Sequence, residues 1–206
     1  MNDLIHETWE TLWSVRFSPG VARIRFGFEL GREKSETNLV QIPRFLHSLR
    51  CASTIADSVF PSGCIGIVAG VRPTRPNGTL GQTRVFKGFN RLGFAAPQLS
   101  QWEAELYPEE EPEDKTFWDI RSYDLKSDNS DRDILLWCSA GADLGIRPIA
   151  FVETFLIDPS RQIMMHLYDD RGMDLTASNP ETLRATYEAY DAWLLDYDRE
   201  RMALLF

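Results

Sequence analysis

Two periods of apolar residues run along this chain, and the places where one gives way to the other mark its elements. Ile5, Trp9, Leu12 and Trp13 fall at i, i+4, i+7 and i+8, which predicts a helix over 2–13. Asn2 or Asp3 supplies a cap, and Ser18-Pro19-Gly20 breaks the chain. The period then drops to two: Ala22, Ile24, Phe26, Phe28 and Leu30 share one face of a strand, and Arg23, Arg25, Gly27 and Glu29 share the other. Pro43 suits a first helical position. A broad face of Phe45, Leu46, Leu49, Ala52, Ala56, Val59 and Phe60 predicts a helix over 43–60, stopped by Pro61 and Gly63. The continuous apolar run 64–71 reads as a fully buried strand whose glycines allow another element to approach closely.

Residues 72–83, with two prolines and two glycines, read as a loop. A strand is expected over 117–126 and a helix over 131–144, the latter weakened by Gly141. Residues 151–157 and 162–168 form a hairpin around Asp158-Pro159-Ser160-Arg161, a good turn because proline presets φ. A third strand over 173–177 continues the meander past Arg171-Gly172. The last helix opens with Ser178 or Asn179 as cap, Pro180 and Glu181. Leu183, Tyr187, Tyr190, Leu194 and Tyr197 carry its stripe through to 197. Together these predict an α+β fold: a mainly antiparallel sheet packed by N-terminal, central and C-terminal helices, in a single domain over 1–206.

Composition supports that reading. A chain of 206 residues, 43% apolar, with twelve Phe and six Trp, buries roughly 70% of its unfolded surface without metals or disulfides. The net charge of −9 disfavours nucleic acid and anionic membranes and favours basic partners or plain solubility. Cys51, Cys64 and Cys138 form no C-x-x-C pair, as expected of buried thiols in a reducing cytoplasm. The N-terminus lacks the basic and apolar regions of a secretory signal, and no run reaches 18 apolar residues. Nothing in the pattern specifies an oligomeric state.

Charge is segregated along the chain. No Asp or Glu occurs from Ser58 to Trp102, a span holding Arg72, Arg75, Arg84, Lys87 and Arg91. Without a Gly-rich phosphate motif, these cations are expected to pair with the acidic C-terminal third rather than to face an anion. The opposite excess, Glu109, Glu110, Glu111, Glu113 and Asp114 around Pro112, reads as a solvated loop and as a candidate docking surface for a basic protein.

The densest candidate chemistry is Tyr168-Asp169-Asp170-Arg171-Gly172-Met173-Asp174. Asp169, Asp170 and Asp174 could converge on a divalent cation, with His166 beside them. Their spacing lacks the alternating acids and distal Glu of a calcium loop. The favoured reading is structural: a tight turn with Gly172 at positive φ, and Arg171 bridging Asp170, Asp174 or Asp198. A second knot, Asp196-Tyr197-Asp198-Arg199-Glu200-Arg201, falls where it could meet the first. The candidate binding residues are therefore Asp169, Asp170, Arg171, Asp174, Asp198 and Arg199. The three histidines, His6, His47 and His166, accompany no G-x-S-x-G, cysteine-protease, P-loop, G-x-G-x-x-G or H-E-x-x-H pattern, so no catalytic residue, metal or cofactor is expected.

The segment His166–Asp174, followed by Tyr187, Tyr190, Trp193-Leu194-Leu195-Asp196-Tyr197-Asp198-Arg199-Glu200 and Phe206, resembles a bacterial family known as domain of unknown function 3885. The early strand Arg25-Phe26-Gly27-Phe28-Glu29-Leu30-Gly31 is similar too, with Gly27 departing from the pattern. The resemblance implies a small cytoplasmic bacterial α+β protein and brings no catalytic residue. Proteins of that class often serve as immunity partners that neutralise a toxin. The leading expectation is thus a non-enzymatic binding protein directed at a toxin domain. The rival is a small enzyme or ligand-binding domain holding a phosphate or divalent metal at the Asp/Arg cluster.

Overall fold

A computed structural model describes residues 2–18, 20–28, 42–72, 85–105, 117–125, 129–142, 144–148 and 150–206. In chain order the elements are α1 (Asn2–Val15), β1 (Ala22–Gly27), α2 (Ile42–Val59) and β2 (Cys64–Val71). A 3-10 turn (Val85–Gly88) leads into α3 (Phe89–Leu92), β3 (Gln98–Glu105), β4 (Phe117–Leu125) and α4 (Ser130–Ala142). The hairpin strands β5 (Glu153–Asp158) and β6 (Ile163–Leu167) precede β7 (Gly172–Ala177) and α5 (Glu181–Ala189). Two 3-10 turns (Asp191–Trp193 and Asp196–Asp198) and α6 (Arg199–Ala203) follow.

Seven strands form one sheet in the order β1-β7-β6-β5-β2-β4-β3, every neighbouring pair antiparallel. The period of two divides its residues between two covers. On one face Ile24, Phe26, Val68, Leu156, Met165 and Leu175 pack with Phe45 and Ile55 of α2, Leu135 of α4 and Leu183 of α5. On the other, Ile67, Ile120, Phe155, Ile157 and Met164 meet Ile5, Trp9, Leu12 and Trp13 of α1. One amphipathic helix therefore closes the centre of a whole sheet face. Burying those four side chains contributes about 1.5–3 kcal/mol each before entropy is subtracted. The architecture is α+β, as the two-period pattern predicts.

The β5–β6 turn forms as its sequence implies. Asp158 Oδ1 accepts the backbone N–H groups of Ser160 and Arg161 at 2.9 and 3.2 Å. Glycine at the centre of β2 serves close approach: a Cβ on Gly66 would lie 2.7 Å from Leu135 of α4. Asn179 Oδ1 accepts the Glu181 N–H at 3.0 Å at the start of α5.

Four expectations are corrected. The C-terminal helix does not run to 197. It ends at Ala189, and Leu194 and Leu195 are extended, with ψ of 136° and 115°. Leu195 N–H donates to the Arg25 carbonyl at 2.8 Å, and Leu194 bridges Phe26, so this segment seals the outer edge of β1. An edge strand needs its backbone groups satisfied, and that demand outweighs the helical stripe; Tyr197 stands 89% exposed. Strand β3 carries no clear alternation signal and was not expected. Arg72, expected to pair with the C-terminal third, pairs with Glu103 of β3. Arg75, Arg84, the loop over 73–83, Leu30 and the acidic run 109–114 lie outside the described residues.

The fourth correction concerns Gly172. Its φ is not positive; among the described residues the left-handed glycines are Gly20, Gly63, Gly93 and Gly145. Gly172 instead pairs with Gly27, and a Cβ there would lie 2.6 Å from the Phe26 carbonyl oxygen and 2.9 Å from the Tyr168 ring. Backbone cannot yield as a side-chain tip can. Gly172→Ala is therefore expected to destabilise by at least about 2 kcal/mol. Gly93→Ala, with φ +81 and open space around it, carries backbone strain alone, about 1–2 kcal/mol. Urea unfolding of the two variants checks the order, and a smaller loss at Gly172 contradicts it.

Candidate functional site: an arginine fork and its cavity

Register decides which charges meet. Ile24 and Phe26 point to the core shared with α2, so Arg23 and Arg25 point to the α1 face. There Arg25 lies opposite Asp174, Asp174 opposite His166, Arg23 opposite Thr176, and Thr176 opposite Met164. The polar face of β1 is thus not a solvent face: the Arg23 and Arg25 side chains keep only 12% and 26% of their exposure.

Arg25 is a fork. Its Nε donates to Asp174 Oδ1 at 3.0 Å, and its Nη1 to Asp198 Oδ2 at 3.2 Å. Arg201 Nη2 donates to the same Asp198 oxygen at 3.3 Å and to the Arg23 carbonyl at 3.3 Å. One guanidinium therefore joins the edge strand, its neighbour β7 and the C-terminal turns. Burial alone would lower the Arg25 pKa, but Asp174 and Asp198 outweigh it and hold it above its ordinary value. Burial likewise opposes the Asp198 carboxylate, yet hydrogen bonds from Arg201 and Arg25 keep it below the usual range. Burial, then the nearby Asp174, pushes the Tyr168 hydroxyl up to about 12, so it stays protonated.

The heptapeptide itself diverges. Asp169 accepts from its near neighbour Arg171, through the backbone N–H and Nε at 2.7 Å each. Asp170, 2% exposed, turns inward to Arg44 of α2. Arg171 thus pairs with Asp169, a partner not expected from the sequence, and its side chain is 61% exposed. Arg199 stands outside the cluster, pairing with Asp191 and Asp196 on the surface. So Asp174 and Asp198 come together through Arg25, whereas Asp169, Asp170 and Arg199 each serve a separate pair. Carboxylates turned towards different guanidiniums do not make a cation site, and among the described residues no three His, Cys, Asp or Glu side chains cluster suitably for a metal.

Sequence reasoning missed Arg23, Arg25, Arg44 and Arg201. The visible signal was the pair of cations on one face of an otherwise apolar strand. Their partners depend on register, which no local pattern supplies.

The end of α1 overhangs this face and leaves a cavity of about 210 Å³. Arg25, Asp174, Thr176, Met164 and His166 form its floor; Trp13, Arg16, Phe17 and Tyr168 wall it. The Arg16 guanidinium lies 3.5 Å from the Trp13 ring centroid and 4.5 Å from that of Phe17, donating to the Trp13 carbonyl. His166 Nε2 is 3.1 Å from Glu153 Oε2, and its ring packs 4.4 Å from Phe155. A larger open groove of about 660 Å³ lies near the other end of α1, against Leu4, Ile5, Ile65 and Leu125. It contains no comparable ionic cluster. Its Cys64 thiol is pushed up to about 12 by burial, while Cys51 and Cys138 rise to about 11 and 12 for the same reason; none is an activated nucleophile. The arginine-floored cavity is the better functional candidate.

Removing Asp170 leaves Arg44 without its carboxylate, so Asp170→Ala is expected to cost about 3–5 kcal/mol. Arg171→Ala removes an exposed guanidinium from the buried Asp169, which keeps the backbone N–H of residue 171, and should cost about 1–3 kcal/mol, less than Asp170→Ala; denaturant midpoints of both variants decide. The lowered Asp198 pKa stabilises the fold above the ordinary carboxylate value near 4, and that contribution is lost as pH falls through the lower folded value. Asp198→Asn should cost about 1–3 kcal/mol at pH 7, and the gap to the parent protein should narrow below about pH 4. A gap unchanged between pH 7 and pH 3 refutes the assignment.

Comparison with known proteins places the chain in one family. No curated protein and no solved structure matches it significantly. The family described as Domain of unknown function (DUF3885) matches residues 1–198 of the 206. The match covers the arginine fork from Arg25 through Asp198 and leaves out only the final eight residues, so this chain belongs to the DUF3885 family.

Proposed function

We propose that this protein acts by binding another protein, without covalent chemistry, and that its partner is a basic domain of the kind a cytoplasmic immunity protein neutralises in a toxin. One observation carries the reading. The four aspartates that could have formed an acid–base or metal site, Asp169, Asp170, Asp174 and Asp198, each accept from a guanidinium, and the contacts of Asp170, Asp174 and Asp198 join separate structural elements. Two further features support it. A net charge of −9 steers basic partners and raises their association rate. Three unbridged, buried cysteines suit a reducing compartment. Glu109, Glu110, Glu111, Glu113 and Asp114 are the proposed docking acids.

The test is affinity capture of the tagged protein from its native host, followed by kinetics with the recovered partner. A toxic partner is expected, with an association rate that falls steeply as salt rises. Replacing the five acids of 109–114 by Gln or Asn should slow association about tenfold, within the range of electrostatic steering. Recovery of no specific partner, together with no toxic product encoded next to the gene, defeats the proposal.

A further inference from the structure

Beyond protein docking, we propose that the cavity under the end of α1 is a binding site for a small organic anion, a carboxylate or phosphate group carrying an apolar body. Charge is the first argument. Around β1, Arg201 and Arg25 act electrostatically on Arg23, and Asp174 and Asp198 oppose them. Three guanidiniums against two carboxylates leave a positive excess around β1 in a chain whose net charge is −9. Arg16 is buried in the cavity wall. Glu153 is turned to His166, 3.1 Å away.

Arg23 is the second argument. Its nearest carboxylate oxygen, on Asp174, is 3.9 Å from Nη1, beyond hydrogen-bond reach. Its buried Nε and Nη1 have no hydrogen-bond partner among the described residues. A buried guanidinium whose donors are unmatched is costly, and an anion is the ligand that would match them. Burial, with Arg201 and Arg25 nearby, outweighs Asp174 and lowers the Arg23 pKa from its ordinary value.

Shape sets the rest of the ligand. The Phe17 ring, 67% exposed, forms the lip, with the Arg16 guanidinium 4.5 Å and the Arg23 guanidinium 5.3 Å from its centroid. Trp13 and Met164 offer apolar surface inside. A volume of 210 Å³ corresponds to about seven water-sized groups at roughly 30 Å³ each, below the size of most drug sites. It suits one ring or a short chain whose anionic head meets Arg25 on the floor, with Arg23 beside the Phe17 lip. Asp174 does not repel the head strongly, because Arg25 holds it at 3.0 Å.

Calorimetric titration of the full chain with benzoate, phenyl phosphate, inorganic phosphate and benzyl alcohol tests this. Benzoate or phenyl phosphate should bind, and whichever binds more tightly identifies the head group. Inorganic phosphate and neutral benzyl alcohol should bind at least about tenfold more weakly, the size of one lost charge-assisted contact. Arg23→Gln should weaken the aromatic anion about tenfold. Should that variant fail to fold, Phe17→Ala removes an exposed lip residue without touching the core, and it should weaken the same ligand several-fold. Absence of binding by both aromatic anions at 10 mM (a working concentration of roughly this order, given the millimolar floor of useful affinities) overturns the site. Equal binding of benzyl alcohol overturns the anion, and unchanged affinity in Phe17→Ala overturns the cavity.

Discussion

The guanidinium of Arg25 is the contact on which the edge of this fold depends. It sits on the last strand of the sheet, where the backbone ladder has only one neighbour, and it reaches Asp174 on that neighbour and Asp198 on the returning C-terminal chain. Leu195 donates to the Arg25 carbonyl, and Met202 Sδ lies 3.2 Å from the Arg25 amide nitrogen. Side chain and backbone of one residue therefore anchor the same two elements. Geometry of this kind is worth more than an exposed ion pair, because the charges are largely desolvated and each is matched.

The unequal covering of the sheet follows from composition on its two faces. Towards α2, α4 and α5 the strands present a continuous apolar surface. Towards α1 they present apolar residues on β2, β3, β4, β5 and β6, and charged ones on β1 and β7. A single helix with four large apolar residues covers the first part and ends at the second. The cavity arises at that boundary, where Trp13, Arg16 and Phe17 come down over a charged floor. Structural clasp and candidate site are adjacent for one reason: a charged patch inside a sheet face needs internal partners and resists close packing by apolar side chains.

Legibility varied with the range of the interaction. Helices α1, α2 and α4, strands β1 and β2, and the β5–β6–β7 meander could be read because their periods are local and their turns carry proline, glycine or aspartate. The stripe Leu183, Tyr187, Tyr190, Leu194, Tyr197 misled, since no glycine or proline marks the stop at Ala189. The chain leaves the helix to complete β1, more than 160 residues earlier in sequence. Strand β3 was missed because its half-buried residues carry no sharp alternation. Gly172 was correctly singled out for the wrong cause: crowding against Phe26, not positive φ.

For the candidate site the division is sharper. Residue types and spacing established the fold class, the segregation of charge and the importance of the 166–174 and 193–200 segments, because periodicity, turn chemistry and family likeness act over short stretches. Which aspartate meets which arginine was settled by packing. Asp170 found Arg44, Asp174 and Asp198 found Arg25, and Arg199 was left to the surface, through strand register and the path of the C-terminal chain. Coulombic attraction selects no partner among 22 arginine and lysine side chains until the backbone has brought two charges within a few ångströms, and that approach is a property of the whole fold.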